Sequence, residues 1–150
     1  MADYLRAAVA VIDGCLQART EKLLAALGRP AIADWRHADT GVMQNPPTVW
    51  VTPLRNAIEE EGQGITQSGQ VMVIIGLTGT DPEDLVAAAM DYVAAVTDAI
   101  ESMAEWTDNI RHVHPGQQDY SARFRRGAGF AIFPTVVLTV ETTEAPVASF

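Results

Sequence analysis

His37, Asp39, His112 and His114 are the side chains whose types and spacing come nearest to a chemical site. Asp34, His37 and Asp39 fall within a few positions of one another and are all ligand types for a divalent metal. A zinc-like centre needs three or four convergent groups, and a polar loop gathers such residues by chance. His112 and His114 share a face if their segment is a strand, because strand side chains alternate. His-x-His supplies two ligands and no third is evident nearby, so a surface pair is the plainer reading. Cys15 sits among apolar neighbours on a helical pattern. A nucleophilic thiol needs a base and an electropositive setting, and the neighbouring residues supply neither. A buried, inert thiol is expected. These residues point to no catalytic site, no metal and no cofactor.

Two glycine-bearing stretches invite comparison with phosphate loops. Gly62-Gln63-Gly64 is isolated, with no strand leading tightly into it and no lysine after it. Thr78-Gly79-Thr80 joins an apolar run to a helix start, the arrangement that hosts phosphates at helix N-termini. Here Asp81, Glu83 and Asp84 fill the first turn, where a phosphate would have to sit, and like charge excludes it.

Charge is more informative. The net charge is −9, and from residue 56 to residue 110 there is no lysine or arginine, while acids run from Glu59 to Asp108. Such a surface repels nucleic-acid phosphate and argues against direct binding. Arg123, Arg125 and Arg126 form the one basic cluster. The start, Met1-Ala2-Asp3, lacks the basic segment of a signal peptide, and no run has the length to span a bilayer. A soluble protein in a reducing compartment is expected.

These residues are carried by a readable set of elements. Residues 3–27 predict a helix, with Leu5, Val9, Ile12, Leu16, Leu23 and Leu27 on one face and Arg6, Asp13, Gln17 and Glu21 opposite. Tyr4, Ala8, Val11 and Cys15 widen the apolar side, enough to touch the sheet and a second body such as a neighbouring subunit. Gly28 and Pro30 stop the helix. Residues 31–47 read as a loop with a short strand near 31–35. Residues 48–54 (TVWVTPL) predict a strand, with Pro53 at an edge or bulge. Residues 71–77 (VMVIIGL) are apolar on both faces and predict a central strand. Asp81 caps a helix with Pro82 at its first position, running to about Glu105. Its outer face holds Glu83, Asp84, Asp91, Asp98, Glu101 and Glu105, with no opposite charge at i,i+4. That face is either merely solvated or aimed at a basic partner or confined nucleic acid. Residues 131–143 predict the last strand, Val136, Leu138 and Val140 facing one way, with Gly127 and Gly129 at a turn or bulge before it.

The expected fold is α+β: a single mostly antiparallel sheet of about four strands with two long helices packed on it, in the order α-β-β-α-β-β. One domain covers 1–150, with 55–70 a flexible acidic loop and 145–150 a short C-terminal tail. This order resembles the tail terminator (tail completion) proteins of long-tailed phages and related tailed particles. The resemblance is carried by helix 3–27, TVWVTPL with its long connection, VMVIIGL leading into DPEDLVAAAMDYVAAVTDAI, and the closing RFRRGAGFAIFPTVVLTVETT.

The resemblance implies a structural protein rather than an enzyme. It implies a ring, usually hexameric, that terminates the tail tube in the virion, after synthesis in the host cytoplasm. Its implied partners are other copies of itself, the tail tube protein and the neck or connector protein, with DNA only in transit through the lumen and no membrane. The family has no catalytic residues to carry over. The acidic balance suits a conduit for DNA, and the wide apolar side of the first helix suits burial between subunits. Arg123, Arg125 and Arg126 are complementary to Asp91, Asp98, Glu101 and Glu105, so these seven are the expected subunit or partner interface. Another head–tail connector or stopper, a small ligand-binding α+β domain built on His37, Asp39, His112 and His114, and an adaptor recruiting a basic partner through the acidic helix are the alternatives.

Overall fold

Both helices lie on one face of a mixed sheet. The computed structural model describes residues 4–36, 45–61, 64–106, 110–142 and 145–146. The helices are α1 (Tyr4–Ala26) and α2 (Pro82–Glu101). The strands are β1 (Asp34–Arg36), β2 (Thr48–Glu61), β3 (Gly64–Gly79), β4 (Ile110–Asp119), β5 (Arg123–Arg126), β6 (Gly129–Ile132), β7 (Thr135–Thr142) and β8 (Ala145–Pro146). β3 is central, with antiparallel β2 on one edge and β6, β7 and β8 along the other.

The expected four strands correspond to β2, β3, β4 and the β6–β7 line. Among the described residues the sheet has eight strand segments rather than four, and β1 joins β2 in parallel, which makes it mixed, while every other pairing is antiparallel as expected. The expected last strand is divided by Phe133 and Pro134, yet its register against β3 is unbroken. Leu77 faces Ile132 and Ile74 faces Thr135, three residues on each side of the gap. Pro134 cannot donate to the ladder, but its carbonyl still accepts from the Ile75 amide at 2.9 Å. β5 escaped sequence reading because all four of its residues are exposed, leaving no alternation to detect.

The segment 55–70, expected as a flexible acidic loop, continues β2 and β3 as a paired hairpin, with Arg55 opposite Gln70 and Glu61 opposite Gly64. Ladder hydrogen bonds join backbones and need no apolar pattern, so acids and glycines there disguised a strand. The expected bulge at Pro53 is present as a register shift between Pro53 and Arg55. Of the expected tail 145–150, Ala145 and Pro146 pair with Ile65 and Gly64; residues 147–150 lie outside the described residues.

The core lies between sheet and helices. Val49 and Val51, then Val71, Val73 and Ile75, then Val136, Leu138 and Val140 present alternate side chains to Ile12, Leu16, Ala89, Val93 and Val96. The alternation expected for 135–140 is therefore met. Leu24, not Leu27, closes the buried face of α1: Leu24 is buried and Leu27 is exposed. Asp13, expected on the solvent side, is buried and accepts from the Gln17 amide at 2.8 Å. The extra apolar width of α1 is used inside the chain, because α1 packs on α2 as well as on β2 and β3. Cys15 marks that contact, its thiol donating to the Ala99 carbonyl at 3.6 Å. The width of α1 therefore no longer argues for burial between subunits.

α2 begins as expected. The Glu83 amide donates to the Asp81 carboxylate at 3.0 Å, and Pro82 opens the helix. It ends at Glu101 rather than near Glu105, where Ser102 caps it. Asp81→Ala should lower stability by about 1 kcal/mol, the usual cost of losing such a cap. Urea denaturation would reveal it, and an unchanged midpoint would mean that the cap contributes nothing. Among the described residues, no helix is long and apolar enough to cross a membrane.

Candidate subunit interface

The three arginines are placed by a short hairpin. Gly127 takes a left-handed φ of 59°, which glycine tolerates without a Cβ penalty, and turns β5 back onto β6, with Arg125 opposite Phe130 and Arg126 opposite Gly129. Arg123, Arg125 and Arg126 are all exposed. The Arg123 Nε donates to the Tyr120 carbonyl at 2.9 Å. The Arg125 guanidinium lies over the Phe130 ring, 5.9 Å from its centroid, within cation–π range. Phe124 is exposed and meets Phe133 edge-on, with centroids 5.9 Å apart.

This hairpin and the start of α2 enclose an open, mostly apolar cleft of about 180 Å³. Leu85, Val86, Phe130 and Ile132 line it, with Arg123 and Arg125 on its wall. Sequence reasoning found the arginines but missed the cleft, because its walls lie some forty residues apart in the chain.

The acids are arranged along α2. Asp98, Glu101 and Glu105 are exposed. Asp91 is half-buried and already holds Arg29 of the same chain, Nε to Oδ2 at 2.8 Å. The cation that α2 lacks at i,i+4 thus comes from Arg29, just beyond the end of α1, which the helical pattern of α2 alone could not show. Next to it the Tyr92 hydroxyl donates to the Pro30 carbonyl at 2.7 Å. The arginine strand meets α2 at its first turn, whereas Asp98 and Glu101 lie at its last. The structure therefore does not bring the seven residues together within one chain.

The histidines do not build a centre. His112 and His114 share the outer face of β4, as expected, with rings 4.2 Å apart. His114 Nε2 lies 3.4 Å from the Glu141 carboxylate. Among the described residues, no group of three His, Cys, Asp or Glu side chains is placed to hold a metal. His37 and Asp39 lie outside the described residues.

Burial raises both the Cys15 thiol and the Tyr92 phenol above their ordinary values of 9.0 and 10.0, an effect that Arg19 and Arg29 respectively only partly oppose. The folded chain thus holds these protons more tightly than the unfolded one. Their contribution to stability is full below the ordinary values and is lost as pH rises through the raised ones. The urea midpoint should fall as pH rises past the ordinary values of 9.0 and 10.0, and Tyr92→Phe should make that fall shallower. An identical slope in the variant would remove Tyr92 from the account.

No family model matches the sequence, and no curated protein matches it. Among solved structures, the fold is similar to that of a chain in the virion of the native gene transfer agent (GTA) particle. The TM-score is 0.58 at 17% identity, over 89% of this chain and 93% of that one. The likeness is one of fold and extends across almost all of both chains.

Proposed function

We propose that this chain is a structural virion protein, not an enzyme, whose copies form a ring that ends the tail tube and joins it to the neck. The observation that carries the reading is the fold shared, nearly end to end, with a chain of a gene transfer agent virion. The resemblance in element order to tail terminators narrows it to the head-proximal end of the tube, with six copies per ring and the tube and neck proteins as partners. The long stretch without lysine or arginine supports a lumen through which DNA moves without sticking. Arg123, Arg125 and Arg126 of one copy meet the acids of the next, chiefly Asp98, Glu101 and Glu105. Asp91 has its own arginine and contributes less.

Electron microscopy of the purified protein with polymerised tail tubes tests this reading. Six-fold rings seated on one end of tubes that stop growing are the expected result. Density on the neck side only would make the chain a connector or stopper instead. Tubes that elongate unchanged with no protein at their ends would overturn the terminating role.

A further inference from the structure

We infer that the outer half of the β2–β3 hairpin of one copy, an arm from Arg55 to Gln70, adds its β2 edge as an antiparallel strand to β5 of a second copy. Glu59, Glu60 and Glu61 of the arm then meet the arginines of β5. The inference deepens the reading above and rests on it in taking the occupant to be another copy of this chain.

Both edges are free among the described residues. β1 covers β2 only from Thr48 to Trp50, and β5 pairs with β6 alone. An open edge presents a row of unpaired N–H and C=O groups and is a template for a further strand. Which groups those are follows from the ladders, because bonded and non-bonded pairs alternate along an antiparallel pair. The Ile75 amide donates to Pro134, so Ile75 and every second residue from it on β3 bond away from β2. The residues between them include Gln70, Ser68, Thr66 and Gly64, which bond to their partners Arg55, Ala57, Glu59 and Glu61. Asn56, Ile58 and Glu60 therefore turn their backbone groups outward. Pro53, opposite Val71, falls in the outward set as well, where its missing N–H breaks no bond to β3. On the other edge, the Phe133 amide donates to the Ala122 carbonyl at 2.9 Å. Phe124 and Arg126 follow the same alternation toward β6, which leaves the backbone groups of Arg123 and Arg125 pointing outward.

Charge decides which edge meets which. Glu59, Glu60 and Glu61 are consecutive on the arm, and β5 is Arg-Phe-Arg-Arg, exposed at every residue. Arm on arm would bring acids to acids, and β5 on β5 arginines to arginines, whereas opposite charges across a strand pair attract. A register with Arg125 opposite Glu60 joins outward groups to outward groups. It also sets Arg126 opposite Glu59 and Phe124 opposite Glu61. One chain cannot make this contact. The arm lies at the Gly64 end of β3 and the arginine hairpin at the Gly79 end, about 50 Å apart at the usual strand rise. A contact between opposite ends of two copies is heterologous, the kind that can close a ring. α2 starts beyond Gly79 and packs back along β3, so Asp98 and Glu101 at its last turn lie toward the arm end too. Both sets of acids thus approach the same hairpin of the next copy.

Disulfide trapping of full-length protein tests the contact even where association is weak. In a Cys15→Ala background, Glu61→Cys copies are mixed with Phe124→Cys copies under mild oxidation. The expected result is cross-linking at least tenfold faster than for Leu27→Cys mixed with Phe124→Cys. Adding Arg125→Glu and Arg126→Glu to the Phe124→Cys copy should remove the advantage. Adding Glu59→Arg and Glu60→Arg to the Glu61→Cys copy should then restore it. Ile58→Pro on the Glu61→Cys copy removes one outward N–H and spares the bonds to β3, so it should abolish the advantage as well. Amide exchange in the unsubstituted chain gives a check that needs no proline. As concentration rises, Ile58 and Glu60 should gain protection while Ala57 and Glu59, already bonded to β3, stay as they were. Equal rates for the two mixtures, no effect of reversing the charges, or no such alternation in exchange would overturn the inference. A chain carrying both Glu61→Cys and Phe124→Cys separates this from the ring reading. A closed hexamer supports both, whereas a product that stops at the dimer keeps the contact and sinks the ring. Six-fold rings in the microscope with cross-linking no faster than the control keep the ring and sink the contact.

Discussion

Replacing Ile75 with alanine lowers the unfolding free energy by about 2–5 kcal/mol, the range for deleting a fully buried aliphatic side chain. Ile75 has no exposure and sits on the central strand β3. It lies opposite Val49 of β2, and its amide donates to Pro134 on the other edge. Strands flank it on both sides and the helices cover its side chain, so little can collapse into the space left. A domain of this size is stable by about 5–15 kcal/mol in all, and such a loss would be visible as a large drop in the urea midpoint. Met72→Ala, on the opposite face of the same strand and only half-buried, should cost clearly less. Equal effects at the two positions would mean that the helices do not cover the Ile75 face of the sheet.

Gly129→Ala should cost about 1–3 kcal/mol, the usual range for forcing extra volume into a well-packed place, and should loosen the β3–β6 pairing. A Cβ at this position would lie 2.8 Å from the Gly79 carbonyl oxygen. The obstacle is backbone, which cannot rotate aside as a side chain can. Either the strands separate where Gly79 pairs with Phe130 or the turn shifts and carries the arginines with it. Gly127→Ala is the informative partner: it has open space around the added carbon but a φ of +59°. It should cost about 1–2 kcal/mol, the penalty of an L residue in the left-handed region, without disturbing the ladder. Amide exchange at Leu77, Thr78 and Gly79 distinguishes the two, rising in Gly129→Ala and not in Gly127→Ala. Unchanged exchange in both would show that the close approach is relieved elsewhere.

Much of the scaffold was legible because apolar periodicity is local. Both helices, the central strand and the inward set Val136, Leu138 and Val140 follow from spacings within a few residues of one another. The Asp81 cap and the bulge at Pro53 follow from the chemistry of single residues. What escaped lacks a local signature. The outer half of the β2–β3 hairpin is held by backbone pairing under an acidic, glycine-rich sequence. β5 is exposed on every residue. Asp13 looked like a solvent-side residue by its helical angle and is covered by the fold.

The candidate interface divides in the same way. Its ingredients, three arginines in one short run and a helix with acids of one sign, were determined by the sequence alone. So was the argument against a phosphate site at the start of α2, since the acids there are in the chain itself. Tertiary structure decided which of them are available and what lies between them. It spent Asp91 on Arg29, used the width of α1 against α2, and set Arg123 and Arg125 beside Leu85, Val86, Phe130 and Ile132. The physical reason is reach: an amphipathic pattern reports which side of one element is buried, but not which distant element buries it. A cleft between two elements exists only once they have met.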